Sequence, residues 1–455
     1  MSNSLFNEFE PVSAKQWKQK IQVDLKGADY NDALVWTSNE GIQVKPFYHS
    51  EDVKTTSKGL KATPKEFKIC ETIVVENEKE ANKLALSAIA NGAESLKFIC
   101  ASENISVKHL LSDINLDDIS IYVELQFLSV DVVKQLNSLS AKAGLFIQND
   151  IIGNLAKTGN WYSNLKEDFS KFEDCTAHTK TITVNTQLSQ NSGANMVQQL
   201  AYAMAHANEY FNHLENTTLD KTSKYNVVFN VALGSNYFFE IAKLRALRIL
   251  FETLNDAYEQ PYECIIFAKP SKRNKAIYDY NTNMLRTTTE CMSAVLGGAD
   301  TISNLPYDAL FHKNNEFGSR IARNQLLILK HESYFDAVDN AADGSYYIES
   351  ITQQLAEKAL KLFKHIEANG GFLKQLKDGT IQRKIKESAT KEQEQFDNGS
   401  EVILGSNKHP NPNDKMKGDL EISPFLKIEK RKTLITPIIE KRLTESLEQE
   451  RLKKE

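Results

Sequence analysis

NTNMLRTTTECMSAVLGGADTISNLP, residues 281–306, places a helix, a stop and a strand in direct succession. Four side chains recur at helical spacing, namely Leu285, Thr289, Met292 and Leu296. Gly297 and Gly298 suit the left-handed conformation that ends a helix, and ADTISNL then has the pattern of a short strand. The stretch therefore predicts a helix that leads directly into a strand, which is half of an α/β repeat.

The same alternation of helix and strand extends toward both ends of the chain. Short apolar runs separated by amphipathic segments predict eight strands, at residues 67–75, 95–100, 119–125, 144–150, 181–187, 227–234, 262–268 and 300–305. Segments such as EKEANKLALSAIANG (78–92) have helical spacing between these runs. Eight successive strand–helix units imply an α/β fold of the (β/α)8 TIM-type barrel class.

The segments outside the barrel have a different composition. Residues 1–66 contain several chain breakers and predict an extended N-terminal arm with a short helix around Trp17, ahead of the barrel at 67–395. Residues 396–424 are rich in Gly, Asn and Pro and predict a polar linker. Residues 425–455 predict a tail whose sequence after Pro437 has the pattern of a charged amphipathic helix.

Composition excludes several classes of protein. Of 455 residues, 41% are hydrophobic and 25% charged, and the net charge of −5 gives no footprint for nucleic acid. No window approaches the roughly 20 apolar residues that cross a bilayer, and residues 1–11 lack a basic region followed by an apolar run. We expect a cytoplasmic protein without nucleic-acid or membrane partners. Scattered cysteines without a CxxC pair predict buried thiols and no zinc site; they are Cys70, Cys100, Cys175, Cys264 and Cys291.

One predicted strand, TITVNTQ (181–187), has a wholly polar face. The alternating polar side chains are Thr181, Thr183, Asn185 and Gln187. The inward face of such barrels is usually bulky and apolar, so a polar inward face predicts room for water or a polar chain along the axis. The alternative is a strand whose polar face is simply solvated.

Three ordered blocks of the sequence carry a family resemblance. ADTISNL with its preceding helix, RIARNQLLILKHES (320–333) and DNAADGSYYIESITQQLAEKA (339–359) resemble the barrel of methylmalonyl-CoA mutase, a cobalamin-dependent acyl-CoA mutase. Residues 9–48 resemble the amino-terminal segment of the small, non-catalytic subunit of that family. The resemblance implies a barrel that threads the pantetheine arm of coenzyme A along an axis lined with small hydrophilic side chains.

This chain differs from such a mutase at the positions that carry its chemistry. The family holds cobalt through a histidine in a DxHxxG motif on a flavodoxin-like domain; Asp308 and His312 have the wrong spacing, so we expect no such domain and no cobalamin ligand here. Alignment through GANMVQQLAY (193–202) places Gln187 and Leu188 where the family carries a catalytic Tyr-His pair. Ser303 stands where the family carries another histidine, and nothing between Pro46 and Phe67 resembles the family's coenzyme A-gripping PWTIRQYAGF.

The resemblance therefore implies a scaffold without catalytic, cofactor-binding or metal-binding residues of its own. The expected partner is a homologous catalytic large subunit that carries adenosylcobalamin and interconverts succinyl-CoA and (R)-methylmalonyl-CoA in a heterodimer. Ethylmalonyl-CoA and isobutyryl-CoA mutases share the fold, so the substrate stays open, and the pairing could also be with a second copy of the chain. The arm and tail are expected to lie on the interface.

The remaining conspicuous groups have structural interpretations that we favour. Charged residues on the family-like helices predict salt bridges: Arg286, Glu290, Arg320 and Arg323. His206 and His213 share a helix face but lack further ligands nearby, so they predict packing or surface positions. Tyr346 and Tyr347 predict core or partner contacts, and Gly370–Gly371 predicts a helix stop.

Three alternatives from other classes remain open. An autonomous mutase could use a cobalamin domain supplied by another chain, although this does not explain Leu188. A non-enzymatic protein could bind and protect a mutase, although the sequence shows no nucleotide-binding loop of the kind that such helpers use. An unrelated barrel enzyme could use Asn149, Asp150 and Asn185 at the carboxyl ends of its strands.

Overall fold

The computed structural model describes residues 8–53, 66–139, 144–217, 220, 222–258, 261–426 and 431–455. Two short antiparallel strands precede the barrel: β1 (Trp36–Thr37) and β2 (Gln43–Val44). The barrel strands are β3 (Lys68–Val75), β4 (Ser95–Cys100), β5 (Ser120–Leu125), β6 (Leu145–Gln148), β7 (Thr181–Asn185), β8 (Tyr225–Leu233), β9 (Tyr262–Pro270) and β10 (Thr301–Ile302). The hydrogen-bonded pairings among these eight strands are parallel.

Helices follow the strands on the outside of the sheet. They are α1 (Ala14–Asp24), α2 (Tyr30–Leu34), α3 (Glu78–Ala90), α4 (Val107–Leu110), α5 (Val130–Asn137), α6 (Ile151–Thr158), α7 (Leu165–Thr179), α8 (Gln187–Asn191), α9 (Met196–Glu215), α10 (Tyr237–Asn255), α11 (Thr282–Gly297), α12 (Glu316–His331), α13 (Tyr346–Ala368), α14 (Gly371–Lys377), α15 (Thr380–Asp397) and α16 (Glu445–Lys454). Single 3-10 turns occur at Ser50–Asp52 and Phe335–Ala337.

The strands form a nearly closed barrel, which confirms the predicted (β/α)8 architecture. Their hydrogen-bonded order is β6-β5-β4-β3-β10-β9-β8-β7, so β6 and β7 meet at a seam. Each predicted strand position holds a strand. The runs at 181–187 and 300–305 are shorter than predicted, because α8 begins at Gln187 and the chain leaves the sheet after Ile302.

Strand register decides which side chains face the axis. Thr183 is paired with Val228, and Asn185 with Asn230, so these side chains lie on the same face of the sheet. Val228 belongs to the small cluster inside the barrel, whereas Ile182 and Val184 belong to the large core between sheet and helices. The polar face of β7 therefore points inward, as the sequence predicts.

Helix α11 is present, and its predicted stop is confirmed by Gly298, which has φ of 79°. The face defined by Leu285, Thr289, Met292 and Leu296 is however its outer one, because Leu285 is 70% exposed. Thr287 and Glu290 are buried instead, with Glu290 paired to Lys275 at 2.8 Å. The face of α11 that is buried is therefore not the one that the apolar spacing predicts. The charge on the buried face is accommodated because it has a buried partner.

The N-terminal arm has a free and a docked part. Helix α1 begins with a capping box at Ser13 and Gln16 and contains no buried residue. From Trp36 onward the arm packs on the barrel helices: Trp36 contacts Phe239 of α10, and Tyr48 contacts Tyr347 of α13. The predicted arm also includes residues 1–7 and 54–65, which lie outside the described residues.

The tail crosses the loops at the carboxyl ends of the barrel strands. Residues 431–443, the C-terminal strap, donate backbone hydrogen bonds from Ile438 to Ala156, from Lys441 to Asn191 and from Leu443 to Arg273. The predicted tail helix is present only from Glu445, because residues 438–444 pair with loops of the barrel instead. Within the described part of the chain, no helix is both long and apolar enough to span a membrane.

Candidate functional site

The middle of the barrel is occupied by three aromatic rings, here called the barrel plug: Tyr122, Phe146 and Phe267. Tyr122 stacks on Phe146 with ring centroids 4.7 Å apart and meets Phe267 edge-on at 5.0 Å. β5 and β9, which carry Tyr122 and Phe267, stand four places apart in the order of eight strands and are therefore opposite walls. Tyr122 Oη also lies 3.0 Å from Thr301 Oγ1, so these side chains meet across the axis.

A charged layer adjoins the barrel plug. Lys97 Nζ lies 2.8 Å from a carboxylate oxygen of Glu124 and 4.6 Å from the ring centroid of Phe267. It also donates to Asn230 Oδ1 at 3.4 Å, again from the opposite wall. Burial acts to raise the pKa of Glu124, but the Lys97 ammonium outweighs it and holds that pKa below its usual value. Lys97 thus has its partners inside the protein.

This filling contradicts the expected open axis for pantetheine. The axis is polar in part, through Thr181, Thr183 and Asn230, but side chains from opposite strands touch at the levels of Phe267 and Lys97. The prediction rested on one strand, whereas the size of the interior depends on all eight. The aromatic residues that fill it come from β5, β6 and β9, each of which the sequence shows only as a short apolar run.

The positions aligned with the family's catalytic pair lie beyond the end of β7. Leu188 is buried in α8 and lines a cavity of about 30 Å³ together with Tyr202, His206 and Phe372. Gln187 donates its backbone N–H to Asn185 Oδ1 at 3.1 Å. Ser303 is buried, and its hydroxyl lies 2.7 Å from the Thr72 hydroxyl. Leu188 offers only packing here, and Ser303 has a hydrogen-bond partner inside the barrel.

Asp150 is the centre of a buried network at the seam between β6 and β7. Its carboxylate accepts hydrogen bonds from the backbone N–H of Gly153 at 2.7 Å and of Asn185 at 2.8 Å, and from Tyr210 Oη at 2.7 Å. His206 Nε2 lies 2.9 Å from the same carboxylate. Burial acts to raise the pKa of Asp150, but His206 and these hydrogen bonds hold it below its usual range.

The sequence also offered a new active site built from Asn149, Asp150 and Asn185, but the network gives Asp150 a structural role instead. Asp150 caps α6 through Gly153 and joins β6 to β7 through the Asn185 N–H, so each of its oxygens is engaged in structure. Asn149 is buried and its Oδ1 has no hydrogen-bond partner. Asp150 and Asn185 therefore do lie together, but their hydrogen bond serves to join β6 to β7. We call this contact across the seam the latch.

Two histidines near the barrel, His206 and His312, are the candidates to hold the cobalt that the family resemblance implies. The ring of His206 stacks on Phe372 at 5.5 Å and its Nε2 faces Asp150, while His312 lies between Asp308 at 3.2 Å and Asp419 at 3.4 Å. Neither imidazole is presented to a ligand, so these residues do not fit the group. In the regions that the structure describes, no cluster of three His, Cys, Asp or Glu side chains is placed to hold a metal ion.

The other charged candidates have structural partners. Arg323 pairs with Glu71 at 2.8 Å, and Arg286 donates to Asn283 and to the backbone carbonyl of Leu404. Arg320 lies over the ring of Phe317 at 5.8 Å. Together with the Glu290–Lys275 pair, these contacts confirm the predicted salt bridges for Glu290 and Arg323. The prediction is wrong for Arg286 and Arg320, which make hydrogen bonds and a cation–π contact and have no salt bridge among the described residues.

The remaining predictions of packing are met except at Tyr346, which does not lie in the core. Tyr347 contacts both Tyr48 of the arm and Phe238, with ring centroids 5.2 Å and 5.4 Å apart, whereas Tyr346 is exposed. Gly370 follows the end of α13 with φ of 99°, as a helix stop requires. His213 packs on Phe169 at 4.7 Å. Four of the five cysteines are buried.

The sequence interpretation missed the charged residues of the barrel interior. Lys97 lies inside SLKFIC and Glu124 inside ISIYVEL, so a charge within an apolar strand was the available signal. Lys269 at the end of β9 is a third case: burial, followed by the nearby ammonium groups of Lys272 and Lys97, lowers its pKa to about 8. Charges at inward strand positions indicate partners across the axis, which only the closed barrel identifies.

Comparison with known proteins identifies the family. The family model for methylmalonyl-CoA mutase matches residues 100–452. The small subunit of methylmalonyl-CoA mutase from Porphyromonas gingivalis is 34% identical over 445 residues, which cover 90% of this chain and 71% of that protein. This chain belongs to the methylmalonyl-CoA mutase family. The small subunit from Streptomyces virginiae is 25% identical, with coverage of 90% and 72%.

The match to relatives that are named methylmalonyl-CoA mutase without a subunit designation covers a smaller share of their length. Methylmalonyl-CoA mutase of Cereibacter sphaeroides is 27% identical over 86% of this chain, but the chain spans 64% of that protein. The human mitochondrial mutase is also 27% identical, with coverage of 89% and 62%. Dihydropteroate synthase of Stenotrophomonas maltophilia, a solved structure, matches at a TM-score of 0.34 with 11% identity over 60% of this chain and 94% of its own, too loosely to support any argument.

Proposed function

We propose that this chain is the non-catalytic small subunit of a methylmalonyl-CoA mutase. Its role is to support a homologous catalytic large subunit in a cytoplasmic heterodimer that interconverts succinyl-CoA and (R)-methylmalonyl-CoA. Adenosylcobalamin, bound by the partner, supplies the radical chemistry. The proposal rests on family membership, on the two relatives named small subunits and on the interior of the barrel.

The barrel plug is the observation that carries the proposal. Coenzyme A thioesters need a passage wide enough for the pantetheine chain, but here Tyr122 and Phe267 are in contact from opposite walls. Tyr122 is fixed further by Phe146 and by the Thr301 hydroxyl. Opening the axis would break these contacts and separate Lys97 from Asn230 on the opposite wall. A barrel stabilised in this way favours a scaffold role over turnover.

The arm supplies a surface for the partner. Helix α1 has no buried residue, and its vicinity exposes Phe9, Val12, Trp17 and Val23 at between 50% and 72%. Large exposed apolar side chains that are concentrated in one segment are typical of an interaction site. Trp36 and Tyr48 fix the end of the arm to α10 and α13, and Trp17 of α1 stacks on Phe47, so the exposed helix is held at a defined place on the surface.

The test is mutase turnover with adenosylcobalamin and methylmalonyl-CoA, for this chain alone and after co-expression with a catalytic large subunit. We expect activity only in a 1:1 complex, with the mass determined by light scattering. Turnover by the chain alone, or with a separate cobalamin-binding domain protein, would contradict the proposal and favour an autonomous mutase.

Two substitutions locate the reaction within the complex. Gln187→Ala and Ser303→Ala, made in this chain and assembled with the wild-type partner, should leave kcat within about twofold. A group that transfers a proton or polarises the thioester typically accounts for about 10² to 10⁴ in rate. A hundredfold loss in either variant would place the reaction in this barrel. Leu188→Met, which conserves volume, serves as the matched packing control.

A further inference from the structure

A groove runs along α15 at the carboxyl-terminal side of the barrel. Its walls are α15 and the C-terminal strap, and its volume is about 760 Å³. The walls are joined at both ends, because Gln382 Nε2 donates to the Thr436 carbonyl at 2.9 Å and Gln393 Nε2 donates to the Leu443 carbonyl at 3.2 Å. Its apolar lining comes from Ile385, Ala389, Leu426, Pro437 and Ile439. We call this the docking groove.

One stripe of α15 faces the docking groove and is charged at both ends. It consists of Arg383, Lys386, Thr390, Glu394 and Asp397, all of which are exposed and line the groove. The spacing of three or four residues places them on a single helix face. Basic side chains lie toward the start of the helix and acidic ones toward its end.

This order opposes the macrodipole of α15. A helix is stabilised by acidic side chains in its first turn and basic ones in its last, but α15 has neither. Helix α16 of the same chain shows the favourable order, with Glu445 and Glu448 in the first turn and basic residues in the last. Within α15, Arg383 lies 3.7 Å from Glu387 and Asp397 accepts a hydrogen bond from Gln393 at 2.9 Å, but the charges of the stripe as a whole oppose the macrodipole of their own helix. They would stabilise a neighbouring helix that runs in the opposite direction.

We propose that the docking groove binds α15 of a second copy of this chain, antiparallel and related by a two-fold axis. Arg383 and Asp397 lie seven residues on either side of Thr390, and Lys386 and Glu394 lie four residues on either side. An antiparallel copy centred at Thr390 therefore brings each basic residue opposite an acidic one, twice. Self-complementarity of this kind is what an isologous contact requires.

The small side chains at the centre fit the same arrangement. Ala389 and Thr390 lie at the middle of α15, where two helices related by a two-fold axis approach each other most closely. Each copy would also place its α15 stripe over the apolar wall formed by Pro437 and Ile439 of the other. The contact uses neither the exposed helix of the arm nor the barrel interior, so it would join two of the proposed heterodimers without displacing either catalytic subunit.

The first measurement is sedimentation equilibrium of the full chain from about 1 to 50 μM at low and high salt. We expect a dimer whose dissociation constant rises at least tenfold between 50 and 500 mM salt, because exposed ion pairs are screened. A monomer at all concentrations in low salt would overturn the proposal.

Charge reversal at the two ends tests the register. R383E/K386E and E394K/D397K should each be monomeric, because like charges then face each other across the axis. An equimolar mixture of the two variants should form a dimer again, because each acidic end then faces a basic end. Two variants that stay monomeric in the mixture, or that dimerise as the wild type does, would each overturn the antiparallel arrangement.

The matched control is K384E/K391E, which makes the same change in net charge on residues of α15 that do not line the docking groove. Its dissociation constant should stay within threefold of the wild-type value. A second readout does not depend on charge: Thr390→Cys should form an intermolecular disulfide under mild oxidation, whereas Lys391→Cys should not. The opposite result would exclude an axis at Thr390.

Discussion

Aromatic side chains are buried in the barrel interior but exposed in the N-terminal arm. Inside the barrel, Phe267 and Tyr122 are buried and touch from opposite walls. In the arm, Phe9 is 72% and Trp17 50% exposed, and α1 buries nothing. Large apolar groups thus fill the space that a thioester substrate would need and remain available where a neighbouring chain could be bound. The comparison favours a protein that binds a neighbouring chain through its surface over one that binds a substrate inside its barrel.

The largest expected effect compares one substitution in both regions. Phe267→Ala removes a ring from the barrel plug and should lower the free energy of unfolding by about 3–5 kcal/mol, through lost burial and the cavity left behind. Phe9→Ala makes the same change on an exposed side chain and should cost less than about 0.5 kcal/mol. Urea denaturation measures both. Equal losses would mean that the arm is packed as tightly as the interior.

The second prediction concerns the latch at the seam. Asp150→Asn removes the charge that faces His206 and should lower the free energy of unfolding by about 2–3 kcal/mol, since the carboxylate accepts three hydrogen bonds and lies 2.9 Å from His206 Nε2. Asp378→Asn is the control, because that side chain is 51% exposed and pairs with Lys374 on the surface. A latch that contributes no more than the control would leave the seam closed by packing alone.

The folded-state pKa of Asp150 also sets a pH dependence. Because that pKa is depressed, the stabilisation is present above the unfolded value of about 3.9 and is lost as pH falls through the folded value. The difference in stability between wild type and Asp150→Asn should therefore shrink below about pH 4. Denaturant midpoints measured from pH 3 to pH 7 test the sign.

The third prediction sharpens the role of the arm. Trp17 stacks on Phe47 at 4.9 Å but is half exposed, so Trp17→Ala should change stability little. If the arm contacts the catalytic subunit, the same variant should weaken that complex by about 2 kcal/mol, or roughly 30-fold, as buried aromatic anchors do. Calorimetric titration against the purified large subunit provides the measurement, with Trp17→Phe as the conservative control. Unchanged affinity would remove the arm from the interface.

The smallest expected effect lies at His312, which joins the β10–α12 loop to residues 416–421. Burial acts to lower its pKa, but hydrogen bonds to Asp308 and Asp419 outweigh burial and raise the pKa above its usual value. The stabilisation is thus present in full below about pH 6.5 and lost as pH rises through the folded pKa. His312→Gln should cost about 0.5–1 kcal/mol at pH 5.5 and less at pH 8.5. Thermal unfolding of the wild type and the variant at both pH values measures this cost. A larger cost at pH 8.5 than at pH 5.5 would contradict the prediction.

Parts of the candidate site were accessible from sequence because they depend on local pattern. Alternation along TITVNTQ identified a polar inward face, and Thr183 does face Val228 inside the barrel. The charged residues Glu290 and Arg323 were correctly interpreted as salt-bridge partners. The stop at Gly298 followed from the freedom of glycine at positive φ.

The order of strands and helices, the βα alternation and the family could be predicted from the amino-acid sequence alone, since these depend on periodicity and on matched residues along the chain. The filling of the barrel could not, because Tyr122 and Phe267 meet across the axis although 145 positions separate them. The buried face of α11 and the three hydrogen bonds to the Asp150 carboxylate also follow from the folded molecule and not from local pattern. Contacts between residues far apart in sequence arise from closure of the sheet, which no local pattern encodes.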